Sequence, residues 1–125
     1  MIHNAIINIT NLRLRTYIGF NEEEKQKQQD IIINAEIHYP ANKLCLRDDV
    51  ENALNYKVIC KNIIRHVESG RFLLLEKLTS DVLGLCVDNP QVSFAKVTID
   101  KPHALRFADS VSLTLSYTKE ELKED

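Results

Sequence analysis

The sequence predicts a two-layer α+β domain: a four-stranded antiparallel sheet with two helices on one face, in the order ββααββ. Three observations lead to it. Residues 110–117 alternate strictly, Val111, Leu113, Leu115 and Tyr117 against Ser110, Ser112, Thr114 and Ser116, which is the period of a strand with one buried face. Residues 30–39 alternate too, with Ile31, Ile33, Ala35, Ile37 and Tyr39 on one parity. Between those runs lie two stretches whose apolar residues recur every three or four positions, and two helices cover only one face of such a sheet.

The first strand is predicted over residues 5–18. Ile7 and Ile9 share one parity and Leu12, Leu14, Thr16 and Ile18 the other, so a bulge is expected near Thr10 and Asn11. Arg13, Arg15 and Tyr17 then leave the opposite face. A charged loop begins at Gly19, and the second strand, residues 30–39, closes an antiparallel hairpin that Pro40 is expected to end, since proline cannot donate to a ladder. A polar connection over residues 41–51 leads to Asn55, a helix N-cap. The first helix carries Ile59, Ile63 and Val67, with Gly70 expected as its C′ glycine. The second helix carries Leu74, Leu75, Leu78, Val82 and Leu85 and stops at Asn89-Pro90. Strands over residues 92–100 and 110–117 follow. Residues 1–118 form one domain and 119–125 a charged tail. Sheet edges of this length are normally covered or paired, so an oligomer that joins sheets edge to edge is expected.

Composition narrows the function. In 125 residues, 44% are apolar and 27% charged, which excludes a disordered chain. Sixteen Lys and Arg stand against 18 Asp and Glu, so the net charge of −2 argues against a nucleic-acid binder. No run approaches the ~20 apolar residues of a membrane span, and residues 1–4 do not open a signal peptide. Cys45, Cys60 and Cys86 lie far apart, two of them in apolar helical patterns, and form no zinc-type cluster. A reduced cytoplasmic protein is expected.

Several side chains invite a chemical reading, each beside a plainer one. Glu24, in a charged loop, reads first as solvated. Glu76 opens a helix, where the dipole favours a carboxylate; it would also set an anion beside free backbone N–H groups, able to bind a heterocycle with adjacent N–H donors. Lys101 ends a strand before Pro102, and Tyr56 follows Asn55. Arg13 and Arg15 line a polar sheet face or pair with Glu36 across the hairpin.

The combination is specific. Tyr17-Ile18-Gly19 with Glu24 five residues past the glycine, Leu54-Asn55-Tyr56, Leu74-Leu75-Glu76 and a strand ending in Lys101-Pro102 occur in order. With them the chain, over residues 6–117, resembles the dihydroneopterin aldolase family of T-fold pterin enzymes. His103-Ala104-Leu105-Arg106 and Ala108-Asp109-Ser110-Val111-Ser112 are similar to a branch that epimerises 7,8-dihydroneopterin triphosphate at C2′ instead of cleaving it. The resemblance implies a T-fold whose sheets close into a β-barrel tunnel, a homo-octamer with sites between subunits, and chemistry without metal or cofactor. It implies Glu24, Tyr56 and Lys101 as catalytic residues, with Tyr56 supplied by a neighbouring subunit. Glu76, the Leu75 backbone and Asn55 would bind the pterin; Arg106, His103, Arg13 and Arg15, and also Lys25 and Lys27, are candidates for the triphosphate. The alternatives are an aldolase that releases glycolaldehyde in folate biosynthesis and a non-catalytic pterin-binding oligomer.

Overall fold

The computed structural model describes residues 3–119; of the stretch expected as a tail, residues 120–125 lie outside them. The elements are β1 (His3–Ile18), β2 (Gln29–Ala41), α1 (Lys43–Leu46), α2 (Tyr56–Ser69), β3 (Arg71–Phe72), α3 (Leu75–Val87), β4 (Phe94–Lys101) and β5 (Val111–Thr118). A 3₁₀ turn, Val50–Asn52, and the one-turn α1 lie in the polar connection between β2 and α2. The sheet order is β3-β1-β2-β4-β5, so there are five strands and not four. The extra one, β3, runs parallel to the end of β1, pairing Arg71 with Tyr17 and Phe72 with Ile18. Two residues are too few to show a period. All other pairings are antiparallel.

The expected bulge falls between Ile9 and Leu12, where the register with β2 shifts. Asn11 takes φ 54°, a left-handed conformation that asparagine tolerates, and donates its N–H to Asn34 Oδ1 at 2.9 Å. The extra residue lets Ile7, Ile9, Leu12 and Leu14 all pack against one core despite their opposite parities. That core lies between the sheet and the two long helices. Ile31, Ile33, Ile37, Val97 and Ile99 from the sheet meet Ile63, Val67, Leu78 and Val82 from the helices. Cys86 is buried among them and burial pushes its thiol up to about 12, as befits a small hydrophobe. Cys60 is half-buried, and Cys45 donates its thiol to the Asn52 carbonyl. No helix among the described residues is long and apolar enough to cross a membrane.

Two punctuation marks act differently from expectation. Pro40 sits inside β2, opposite Asn4. Backbone groups alternate sides along a strand, so Pro40 faces the same side as His38, whose carbonyl accepts from Ser93 N just before β4 begins. No ladder partner stands opposite Pro40 there, and its missing N–H costs no bond. Gly70 closes α2 with φ −99°, an extended cap and not a left-handed one, because the chain passes directly into β3. Its need for hydrogen is steric: a Cβ there would stand 2.5 Å from the Phe72 ring. In β5 the apolar face is only half-buried within one chain, since β5 is a sheet edge.

One buried hydroxyl ties the layers together. Thr16 on β1 is fully buried and donates to the Val67 carbonyl, in the last turn of α2, at 2.7 Å. Valine has the same shape without the donor. Thr16→Val should therefore cost about 1–2 kcal/mol, measured as a lower thermal midpoint at fixed protein concentration.

Candidate active site

The end of β1 dictates the site. After Ile18 the chain turns through Gly19, at φ 130°, and Gly19 N–H donates to the Phe72 carbonyl at 2.9 Å. Glu24 folds back over this glycine so closely that a Cβ at position 19 would meet its carboxyl carbon at 2.2 Å. Only glycine accommodates both the dihedral and the approach. The loop is shaped by a reciprocal pair: Asn21 Oδ1 accepts from Glu24 N at 2.8 Å, and Glu24 Oε1 accepts from Asn21 N at 3.5 Å. This is the pattern of a capping box.

The carboxylate so placed meets Lys101 at the end of β4. Lys101 Nζ donates to Glu24 Oε2 at 2.9 Å, with side-chain exposures of 13% and 24%. Gln29 Nε2 donates to the same oxygen at 3.4 Å and also to the Ile18 carbonyl. The hydrogen bond from the Lys101 ammonium outweighs partial desolvation and holds the Glu24 carboxyl below its ordinary value of 4.5. A cavity of about 350 Å³ opens beside the pair, bordered also by Phe20, Leu74, Leu75 and Glu76. Leu74 caps α3 with no side-chain hydrogen bond, so the first N–H groups of that helix are left for another acceptor. The cavity thus combines a paired carboxylate and ammonium, a second carboxylate in a helix first turn, and an apolar wall. It suits a flat, polar-edged heterocycle next to a proton-handling pair.

Of the other candidates, Tyr56 and Asn55 stand elsewhere on the chain. Asn55 caps α2 by accepting from Val58 N at 3.3 Å, and Tyr56, 48% exposed, lines a separate cavity of about 420 Å³ with Ile7, Ile9 and Cys60. Arg13, Arg15 and His103 border an open groove of about 580 Å³. Arg15 is held there by Asp30 at 3.3 Å and by the Gln28 carbonyl, so the cross-strand partner is Asp30 and not Glu36, which sits 2.7 Å from His38. The register explains it, since Arg15 pairs with Asp30 and Glu36 with Asn8. Arg106 lies exposed over the Phe107 ring at 5.5 Å and borders none of these cavities. Gln29 and Asn21 escaped the sequence reading. The Asn-x-x-Glu spacing was the available signal for Asn21, whereas nothing in the sequence singles out Gln29.

Comparison with known proteins matches residues 7–116 to the dihydroneopterin aldolase family model. The dihydroneopterin triphosphate 2′-epimerase of Escherichia coli K12 is 58% identical over 115 residues, covering 92% of this chain and 96% of that protein. The Pseudomonas aeruginosa protein of the same name is 54% identical over 112 residues, covering 90% and 91%. Among solved structures, E. coli dihydroneopterin aldolase in complex with neopterin superimposes with a TM-score of 0.84 at 26% identity, covering 90% of this chain and 98% of the other.

Folding lowers the Glu24 pKa, so the Glu24–Lys101 pair stabilises the protein fully above the ordinary value of 4.5, and that contribution is lost as the pH falls through the lower folded value. The variant Lys101→Met lacks it. The stability gap between wild type and variant should be widest near neutral pH and close as the solution is acidified below the ordinary value of 4.5 and through the lower folded one. Thermal midpoints measured across pH check this; a gap that stays constant would mean that the pair does not carry it.

Proposed function

The chain belongs to the dihydroneopterin aldolase family, and we propose that it is an epimerase that interconverts 7,8-dihydroneopterin triphosphate and its C2′ epimer, 7,8-dihydromonapterin triphosphate. Identity of 54–58% to two epimerases, against 26% to an aldolase, supports that branch. The observation that carries the chemistry is the 2.9 Å contact of Lys101 Nζ with Glu24 Oε2 on the wall of the cavity that Glu76 also borders.

The reaction is a retro-aldol cleavage followed by re-addition. Loss of the 2′-hydroxyl proton makes O2′ a carbonyl and breaks the C1′–C2′ bond. The bonding pair passes to C1′ and is delocalised into the reduced pterin ring as an enamine. If the aldehyde turns its other face before C1′ attacks it, C2′ returns inverted and O2′ takes back a proton. Glu76 receives the amino and ring N–H donors of the pterin; each charged hydrogen bond contributes about 1.5–3 kcal/mol. The Leu75 backbone meets the ring's acceptors. Lys101 carries the proton between O2′ and the ring nitrogen, and Glu24 fixes the ammonium in place. The dihydroneopterin aldolase reading uses the same residues, with the aldehyde leaving and C1′ taking a proton.

Tyr56 completes the site from a neighbouring chain, where its hydroxyl faces C1′ and Asn55 sets the start of its helix. Its separation from Glu24 and Lys101 on one chain supports this, as do the exposed sheet edge at β5 and the half-exposed Ile6, Tyr56 and Val58. In this reading the sheets join edge to edge into a barrel, two rings making an octamer.

The chromatographic assay is direct. Wild type incubated with dihydroneopterin triphosphate should yield the C2′ epimer, and Lys101→Met should turn over about 10²–10⁴ more slowly. Aldehyde release without epimer would establish the aldolase reading, and no turnover of either kind the binding module.

The shared site has its own test. Subunits of Tyr56→Phe and of Lys101→Met, each nearly inactive alone, should regain activity when dissociated and reassembled together, because some sites then receive both intact residues. Mixtures that stay inactive would place the whole site on one chain.

A further inference from the structure

The cavity beside Glu24 and Lys101 does not end at the pair. Glu24 and Ala104 also border a second cavity of about 340 Å³, whose other walls include Lys27 and His103. His103 in turn borders the groove that holds Arg13. The three spaces thus share wall residues in sequence, a path of neighbouring cavities from the proton-handling pair by way of Ala104 and His103 to Arg13. Among the described residues no carboxylate pairs with Lys27, His103 or Arg13, whereas Arg15 is spent on Asp30 and Lys101 on Glu24. Glu23 and Glu68 border the same spaces and limit their net positive charge. The assignment accordingly rests on donors without a carboxylate partner that line neighbouring cavities beside the pair. Such donors suit a chain of phosphoryl groups.

Resting on the epimerase reading, we infer that this path holds the triphosphate and thereby decides the fate of the cleaved intermediate. The triphosphate is bonded to C3′, on the fragment that becomes the aldehyde. When the C1′–C2′ bond breaks, that fragment has no covalent tie to the pterin. Only its hold on Lys27, His103 and Arg13 keeps it within reach of C1′ for re-addition. A firmly held fragment turns and re-adds, which inverts C2′; a loosely held one departs, C1′ takes a proton, and the products are 6-hydroxymethyl-dihydropterin and glycolaldehyde triphosphate. The unphosphorylated substrate has no such anchor.

The test is Lys27→Gln combined with His103→Gln in the full chain. On the triphosphate substrate KM should rise about tenfold or more, and the ratio of aldehyde release to epimer should rise severalfold over wild type. On dihydroneopterin both quantities should shift far less, which separates loss of the anchor from damage to the pocket. An unchanged ratio with wild-type epimerisation intact would overturn the groove alone, and so would equal losses on both substrates. Should wild type not convert the triphosphate at all, the epimerase reading fails by itself. Inorganic triphosphate binding then still reads the groove: binding to wild type lost in the double variant upholds an anion site, and equal binding to both removes it.

Discussion

Glu24 and Lys101 are 77 residues apart in the chain and 2.9 Å apart in space, and the site depends on that meeting. Each partner is delivered by a different constraint. Lys101 arrives because β4 runs antiparallel to β2 and its last residues reach the level where β2 begins. Glu24 arrives because Gly19 has no side chain, so the hairpin loop can collapse onto the end of β1. An alanine at 19 would force either the loop or the carboxylate outward, and the ammonium would then be half-buried without its partner. Glu24 is thus held by packing and by Asn21 and Gln29 before the lysine contributes anything, so the carboxylate is pre-placed for the ammonium.

The two-residue β3 belongs to the same construction. Its parallel pairing carries Phe72 to the end of β1, where its carbonyl receives Gly19 N–H, and leads straight into the start of α3. One short strand thereby sets the glycine turn and the helix that presents Glu76 side by side. Arg71, stacked over Tyr17 at 3.8 Å and donating to the Lys25 carbonyl, fastens the charged loop to the same strand. Gly70 lets Phe72 lie back over the helix end, so the two glycines act on one corner from opposite sides. The core beneath is mostly aliphatic, with Phe72 and Cys86 among it and Thr16 and Thr79 as its buried polar residues, and the carboxyls whose pKa is lowered, Glu24, Glu36 and Asp81, stand outside it.

Strict alternation and helical spacing carried most of the fold, because burial on one face leaves a period in the sequence. The bulge was legible for the same reason: the parity of Ile9 and Leu12 conflicts, and one extra residue resolves it. What was not legible is whatever lacks a period. β3 is too short, Pro40 has to be judged by its absent neighbour, and the extended cap at Gly70 follows from the ring two residues later. Within the site, Glu24, Glu76, Leu75 and Lys101 come together around one cavity, and the family resemblance had pointed to all four. Local sequence alone would have left Glu24 in solvent, because its partner lies beyond two strands and three helices, at the end of a third strand. Gln29, whose amide bridges the Ile18 carbonyl and Glu24, could be found only in three dimensions.

Placing the proton-handling pair at the sheet's end separates two tasks that a buried pair would confuse. A carboxylate and an ammonium inside the core would need each other merely to offset desolvation, and the fold would fail whenever one changed protonation. Here the pair is partly exposed and lies outside the buried core, an arrangement that suits the proton exchange proposed for the ammonium. The same arrangement leaves specificity to loops. In the proposed reading, pterin recognition rests on α3 and chemistry on the pair, while the surroundings of the side chain beyond C2′ come from the segment after Lys101 and the hairpin loop. On that proposal, the difference between returning a fragment and losing it requires no change in the catalytic groups, only in how those two loops grip what leaves.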